Sequence, residues 1–89
     1  MKKNNNEIII YVHKKCIPCK KLLEYFKKAR VQNYKLIEVN SEEVIEELKS
    51  ITGGEAVVPL TLNPKNGKMF IGCPKNVSDF IKKINELLE

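Results

Sequence analysis

The sequence predicts a single α/β domain with the element order β-α-β-α-β-β-α. Short β-branched apolar runs alternate with segments in which apolar residues recur every three or four positions, which is typical of strands joined by amphipathic helices. Helical crossovers make the first two strands parallel, whereas the last two are separated only by a turn and form an antiparallel hairpin. We therefore expect a four-stranded mixed sheet in the order 2-1-3-4, with helices on both faces. A chain of 89 residues accommodates this domain over residues 7–89, after a disordered polar N-terminus at residues 1–6.

The first strand is predicted at residues 7–12 and the first helix begins near Cys19. Residues 7–12 (EIIIYV) are almost continuously apolar, which is typical of a strand buried on both faces inside a sheet. The helix has one apolar stripe and carries lysines on its other side. This stripe consists of Cys19, Leu22, Leu23, Phe26 and Ala29. The second strand follows at residues 34–39 (YKLIEV).

The second helix is predicted to begin after Asn40, with Glu43 as the capping-box partner of this asparagine. Its buried stripe comprises Val44, Ile45, Leu48 and Ile51. Two glycines at positions 53 and 54 end the helix, because glycine readily adopts the left-handed conformation found at helix ends.

The hairpin and the last helix occupy the remaining residues. Residues 57–63 (VVPLTLN) and 68–71 (KMFI) are the predicted third and fourth strands, and the sequence Pro-Lys-Asn-Gly at 64–67 is typical of a turn. Asn76 is the predicted cap of the last helix. The buried stripe of this helix consists of Val77, Phe80, Ile81, Ile84 and Leu88.

Cys16 and Cys19 form a C-x-x-C pair where the first strand ends and the first helix begins. The N–H groups and the dipole of a helix start favour a thiolate, and Lys14 and Lys15 add positive charge nearby. We expect Cys16 to be nearer to solvent and to act as the nucleophile. Cys19 begins the buried stripe and is expected to resolve the mixed disulfide formed on Cys16. Pro18 fits the first helical turn, where its missing N–H costs little.

On these residues the chain resembles the thioredoxin-fold superfamily over about residues 8–88. The resemblance is carried by C-I-P-C at positions 16–19, by Val58-Pro59 at the start of the third strand, and by Gly72 at the end of the fourth. It implies dithiol–disulfide exchange through the two cysteines. It also implies that Pro59 is cis and packs against the redox pair, while the backbone of Val58 pairs with substrate.

Two branches of the superfamily share features with the chain. Its size and its start at the strand before the cysteine pair resemble the glutaredoxins, whereas Pro18 directly before Cys19 resembles the thioredoxins. The glutaredoxin resemblance implies glutathione as a co-substrate, with no bound metal or organic cofactor. Electrons would come either from glutathione or from a flavoenzyme of the thioredoxin-reductase type. The residues expected to contact substrate are Lys14, Lys15, Ile17, Pro18, Val58, Pro59, Gly72 and Cys73.

Two other functions fit the same residues. His13, Cys16, Cys19 and Cys73 are a Cys₃His ligand set for zinc or a bridging iron–sulfur cluster. A non-catalytic interaction domain would use the same fold without the thiols. In either redox branch, Cys73 is a small packed residue, an accessory redox thiol or a glutathionylation site. His13 is a strand-end residue, or a group that binds anions or favours the Cys16 thiolate.

Charge and composition narrow the expected partners. The net charge is +5, and basic residues concentrate at Lys14, Lys15, Lys20, Lys21, Lys27, Lys28 and Arg30. No aromatic platform for stacked bases accompanies them, so nucleic acid is not expected to bind. No apolar run is long enough for a signal peptide or a membrane span. We expect a cytoplasmic monomer active in electron transport and cell redox homeostasis, with disulfide-containing proteins or glutathione and a reductase system as partners.

Overall fold

Residues 7–89, which the computed structural model describes, form four strands and three helices. In chain order these are β1 (Ile8–Val12), α1 (Ile17–Lys28), β2 (Tyr34–Glu38), α2 (Glu42–Thr52), β3 (Leu60–Leu62), β4 (Met69–Ile71) and α3 (Val77–Leu88). The predicted order of elements is confirmed. The polar segment 1–6, predicted to be disordered, lies outside the described residues.

The sheet has the strand order β2-β1-β3-β4, as the sequence predicts. β1 pairs in parallel with β2 and antiparallel with β3, and β3 pairs antiparallel with β4. β1 therefore lies inside the sheet, with a neighbouring strand on each side. Its residues Ile8, Ile10 and Tyr11 are almost completely buried because helices cover both faces of the sheet.

The core consists of one apolar cluster on each face of the sheet. Side chains alternate between faces along a strand, so Ile8 and Ile10 meet α1 and α3, whereas Tyr11 meets α2. On the first face, the ring of Phe26 makes edge-to-face contacts with Phe80 at 4.8 Å and with Tyr34 at 5.0 Å between centroids. This packing fixes α1, whose first turn carries the cysteine pair, against the sheet.

The start of α2 differs from the prediction by one residue. The N-cap is Ser41, whose hydroxyl accepts a hydrogen bond from the Val44 N–H at 3.4 Å. Asn40 instead donates a hydrogen bond from its side chain to Glu38 at 3.5 Å. The residue three positions after the cap is thus Val44, so the predicted capping box with Glu43 is not formed. The predicted end of α2 is confirmed, because Gly53 ends the helix with a left-handed backbone of φ 85°.

The N-cap of α3 is Asn76, as predicted, and its side chain accepts a hydrogen bond from the Asp79 N–H at 2.8 Å. The buried stripe of this helix was predicted incompletely. Leu87 is buried, whereas Ile81 is 44% exposed. The sheet contacts the face formed by Phe80, Ile84 and Leu87, and Ile81 lies beside this face toward solvent.

β3 is shorter than the predicted strand at 57–63. The residues before Leu60 include a cis peptide between Val58 and Pro59, and they take no part in the pairing of β3 with β1 or β4. Proline also lacks the N–H that a ladder requires. None of the helices between residues 7 and 89 has the length and apolar composition needed to cross a membrane.

Candidate active site

The two cysteines of the C-x-x-C pair lie at the N-terminus of α1 and form a disulfide bond. Cys16 is the N-cap of the helix, with an extended backbone at φ −92° and ψ 109°. Its Sγ accepts a hydrogen bond from the Cys19 N–H at 3.1 Å. After reduction, the same N–H and the helix dipole are placed to stabilise a thiolate on Cys16.

The two cysteines differ in their exposure to solvent. Cys16 is partly exposed, whereas Cys19 is 2% exposed and belongs to the buried face of α1 with Leu22. Ile17 and Pro18 stand between them on the surface, and Ile17 is 76% exposed. Cys16 is therefore the more accessible of the two cysteines.

Pro59 is buried and follows a cis peptide bond, as the superfamily resemblance implies. Its carbonyl accepts a hydrogen bond from the Gly72 N–H at 2.8 Å. Gly72 has a φ of 88°, a conformation that glycine adopts without strain. This bond holds the start of β3 against the end of β4, beside the cysteine pair.

An open groove of about 410 Å³ lies between the first turn of α1 and these two strand ends. The groove is lined by Ile17, Pro18, Lys21, Val58, Pro59, Gly72, Cys73, Pro74 and Lys75. It contains most of the residues that the sequence predicts to contact substrate. Lys14 and Lys15 are the exceptions, because neither lines this groove.

Lys14 lines a second pocket, of about 350 Å³, on the other side of the cysteine pair. The walls of this pocket are Val12, His13, Lys14, Cys19, Lys20, Leu23, Leu36 and Glu38. His13 organises the approach to the pair, since its Nδ1 accepts a hydrogen bond from the Lys15 N–H at 3.1 Å. The carbonyl of His13 accepts a second one from the Cys16 N–H at 3.0 Å.

Sequence reasoning missed Lys21 and Lys75 as groove residues. Helical spacing could have identified Lys21, because it lies four positions after Ile17 and three after Pro18, on the same side of the helix. Lys75 is distant from the motif in sequence, and no local pattern points to it.

Cys73 is a half-buried free thiol in the wall of the groove. Burial raises its pKa above the ordinary value, and the positive charge of Lys21 acts in the opposite direction. Its Sγ contacts the Pro74 carbonyl at 3.4 Å, within hydrogen-bond distance. A raised pKa keeps the thiol protonated at neutral pH, which favours a packed residue over a second nucleophile.

The Cys₃His ligand set considered for a metal is not assembled. Within residues 7–89, no group of three or more His, Cys, Asp or Glu side chains is placed to hold a metal ion. Two of the four residues of that set, Cys16 and Cys19, are joined to each other in this structure.

Comparison with known proteins finds similar solved structures. No protein-family model and no curated protein sequence matches the chain. Among solved structures, a glutaredoxin from Archaeoglobus fulgidus is 28% identical, with a TM-score of 0.67 over 89% of this chain and 86% of that one. StoA from Bacillus subtilis is 18% identical, with a TM-score of 0.45 over 93% of this chain and 84% of that one.

The likeness to the glutaredoxin agrees with the strand order, the cis-proline and the cysteine pair at the start of α1. A close cysteine pair in this setting supports a redox role. On these grounds the chain belongs to the thioredoxin-fold superfamily.

Proposed function

We propose that the protein reduces protein disulfides or low-molecular-weight disulfides by dithiol exchange through Cys16 and Cys19. The observation that carries this proposal is the unequal exposure of two disulfide-bonded cysteines at a helix N-terminus. Cys16 is the partly exposed cysteine and Cys19 the buried one, so the first attack is assigned to Cys16 and the second to Cys19.

The exchange proceeds in two displacement steps. The Cys16 thiolate attacks one sulfur of the substrate disulfide, so that a mixed disulfide forms and the other substrate sulfur leaves as a thiolate that takes up a proton from water. Cys19 then loses its proton and attacks the Cys16 sulfur. The Cys16–Cys19 disulfide forms, the second substrate sulfur leaves, and the substrate has gained two electrons and two protons.

Binding of an extended substrate segment is proposed at Val58. The residues just before β3 do not enter its ladders with β1 and β4, so the Val58 backbone is available for pairing with another chain. Val58 and Pro59 both line the groove beside Cys16. An added strand here would bring a substrate cysteine next to the nucleophile, as in other cases of β-augmentation.

The oxidised protein must be returned to the dithiol by another thiol system. We propose glutathione as co-substrate, with a flavoenzyme of the thioredoxin-reductase type as the second possible donor. A reducing compartment such as the cytoplasm suits this cycle, because there the donor pool keeps thiols reduced.

The test is NADPH-coupled reduction of a disulfide substrate, run in parallel with glutathione plus glutathione reductase and with thioredoxin reductase. We expect turnover of the wild-type protein in at least one arm. Cys16→Ser removes the nucleophile and abolishes turnover, whereas Cys19→Ser, the matched variant, accumulates a mixed disulfide visible by mass spectrometry. Absence of turnover in both arms, with the wild-type thiols confirmed reduced, refutes the proposal.

A further inference from the structure

The groove beside Cys16 is positively charged on two of its sides. Lys21 contributes from α1, and Lys75 contributes from the segment that precedes α3. No aspartate or glutamate lines the groove. An anionic group entering it thus meets two ammonium groups and no carboxylate.

Neither lysine is neutralised by the protein itself. Among residues 7–89 no carboxylate lies within 4.0 Å of either ammonium group, and the ion pair found there, Lys49 with Glu46, is on α2. The first turn of α1 also contains no acidic residue. Both charges are therefore available to a ligand.

The position of Lys75 is fixed by α1. The Tyr25 hydroxyl donates a hydrogen bond to the Lys75 carbonyl at 3.2 Å. Tyr25 is 7% exposed and its ring packs against Phe80 at 5.8 Å between centroids. Because Tyr25 lies one helical turn after Lys21, the same helix carries one lysine and holds the backbone of the other.

The positive charge of Lys21 acts on a group in the wall of the groove. It acts on the half-buried thiol of Cys73, where it opposes the rise in pKa caused by burial. Cys73 belongs to the wall between the strand end at Gly72 and Lys75. Lys21 and Lys75 therefore line one and the same groove, from α1 and from the segment after Cys73.

The rest of the groove is apolar. Ile17, Pro18 and Pro74 line it together with Val58 and Pro59. Ile17 is one of the most exposed large apolar side chains of the described residues, and it stands directly beside Cys16. A ligand that fits this surface has an apolar part near Ile17 and a negative charge near the two lysines.

We propose that the preferred substrate is a protein disulfide in an extended segment that carries an acidic side chain beside its cysteine, with Lys21 and Lys75 as specificity-determining residues. This inference rests on the proposed function, because it assigns the substrate class of the same site. Tyr25 is a positioning residue that acts through Lys75. The charges accelerate encounter and favour acidic over basic segments.

The test uses oxidised model peptides and the pre-reduced protein in single turnover, without a recycling system. Three peptides share one sequence with an apolar residue beside the cysteine and differ at one neighbouring position, which is Glu, Gln or Lys. We expect the rate to fall in that order, with about a fivefold difference between the Glu and Gln peptides at low salt, as for two weak surface charge pairs. Raising the salt from about 50 mM to about 500 mM reduces this ratio because such charges are screened.

Charge-removing variants locate the effect. In the double variant Lys21→Gln/Lys75→Gln the ratio of the Glu rate to the Gln rate falls to about one. The matched control is Lys27→Gln, which removes the same charge from the other end of α1 and keeps the ratio. Tyr25→Phe preserves the ring and removes the hydrogen bond to Lys75, so we expect an intermediate ratio.

Equal rates for the three peptides, or a ratio that survives the double substitution, overturn the inference while dithiol exchange stands. A double variant that slows reduction of glutathione disulfide but leaves the peptide ratio intact also overturns it, because the lysines would then serve a tripeptide. If the reduced protein reduces none of the peptides but still reduces glutathione disulfide, the inference fails and dithiol exchange stands; if it reduces neither, both fail.

Discussion

Thr61 offers a direct test of the packing beneath the site. It is completely buried in β3, between Ile10 of β1 and Phe70 of β4, and its hydroxyl has no hydrogen-bond partner among the described residues. A buried hydroxyl without a partner destabilises the folded state by about 1–3 kcal/mol relative to water. Thr61→Val keeps the β-branched shape and replaces this hydroxyl with a methyl group. We expect the free energy of unfolding to rise by about 1 kcal/mol.

Urea denaturation of the oxidised protein measures this change. With a slope of about 1 kcal/mol per molar urea, which is usual for a small domain, the midpoint moves up by about 1 M while the slope is unchanged. Thr61→Ser is the matched control, because it keeps the hydroxyl and removes the methyl group, and it should lower stability by about 1 kcal/mol. A midpoint that falls in Thr61→Val at constant slope would refute the reasoning.

Two further predictions concern the other face of the sheet. Ser41→Ala removes the N-cap of α2 and should lower stability by about 1 kcal/mol in urea denaturation, whereas Asn40→Ala should change it by less than about 0.5 kcal/mol; equal losses would contradict the cap assignment. Burial and the Glu47 carboxylate, which accepts a hydrogen bond from Tyr11 at 3.1 Å, raise the pKa of Tyr11 to about 12 from 10.0. The folded state thus favours the neutral phenol. The stabilisation that Tyr11 adds to the free energy of unfolding is therefore fully present below pH 10 and is lost as the pH rises toward 12. The free energy of unfolding of Tyr11→Phe, measured by urea denaturation, should fall less than that of the wild type between pH 10 and pH 12. Identical dependence of this free energy on pH in the two proteins would contradict the raised pKa.

Patterns that depend on burial predicted the fold well. The nearly continuous apolar run of β1 predicted an interior strand, because such a run is typical of a strand covered on both faces. The position of Cys19 at the start of an apolar helical stripe likewise predicted which sulfur is buried. In both cases the apolar residues of a short segment were enough to predict which of its side chains are buried.

Features decided by small local differences or by distant contacts were not predictable. Asn40 and Ser41 are nearly equal in their preference for the N-cap position, so residue type alone does not decide between them. Ile81 and Leu87 both continue an apolar stripe, and only the position of the sheet decides which one is buried. Lys75 joins the groove through the hydrogen bond from Tyr25, a contact that spans much of the chain.

The placement of the cysteine pair on one helical turn has a consequence for how the protein carries electrons. The Cα atoms of Cys16 and Cys19 are 5.2 Å apart, and an ordinary α-helix separates residues three apart by about 5 Å whether or not a bond joins their side chains. The helix therefore presets the distance that the disulfide requires. The same backbone can therefore carry both the disulfide and the dithiol. We expect partners to distinguish the oxidised from the reduced protein at its sulfur atoms and not by a change in the fold.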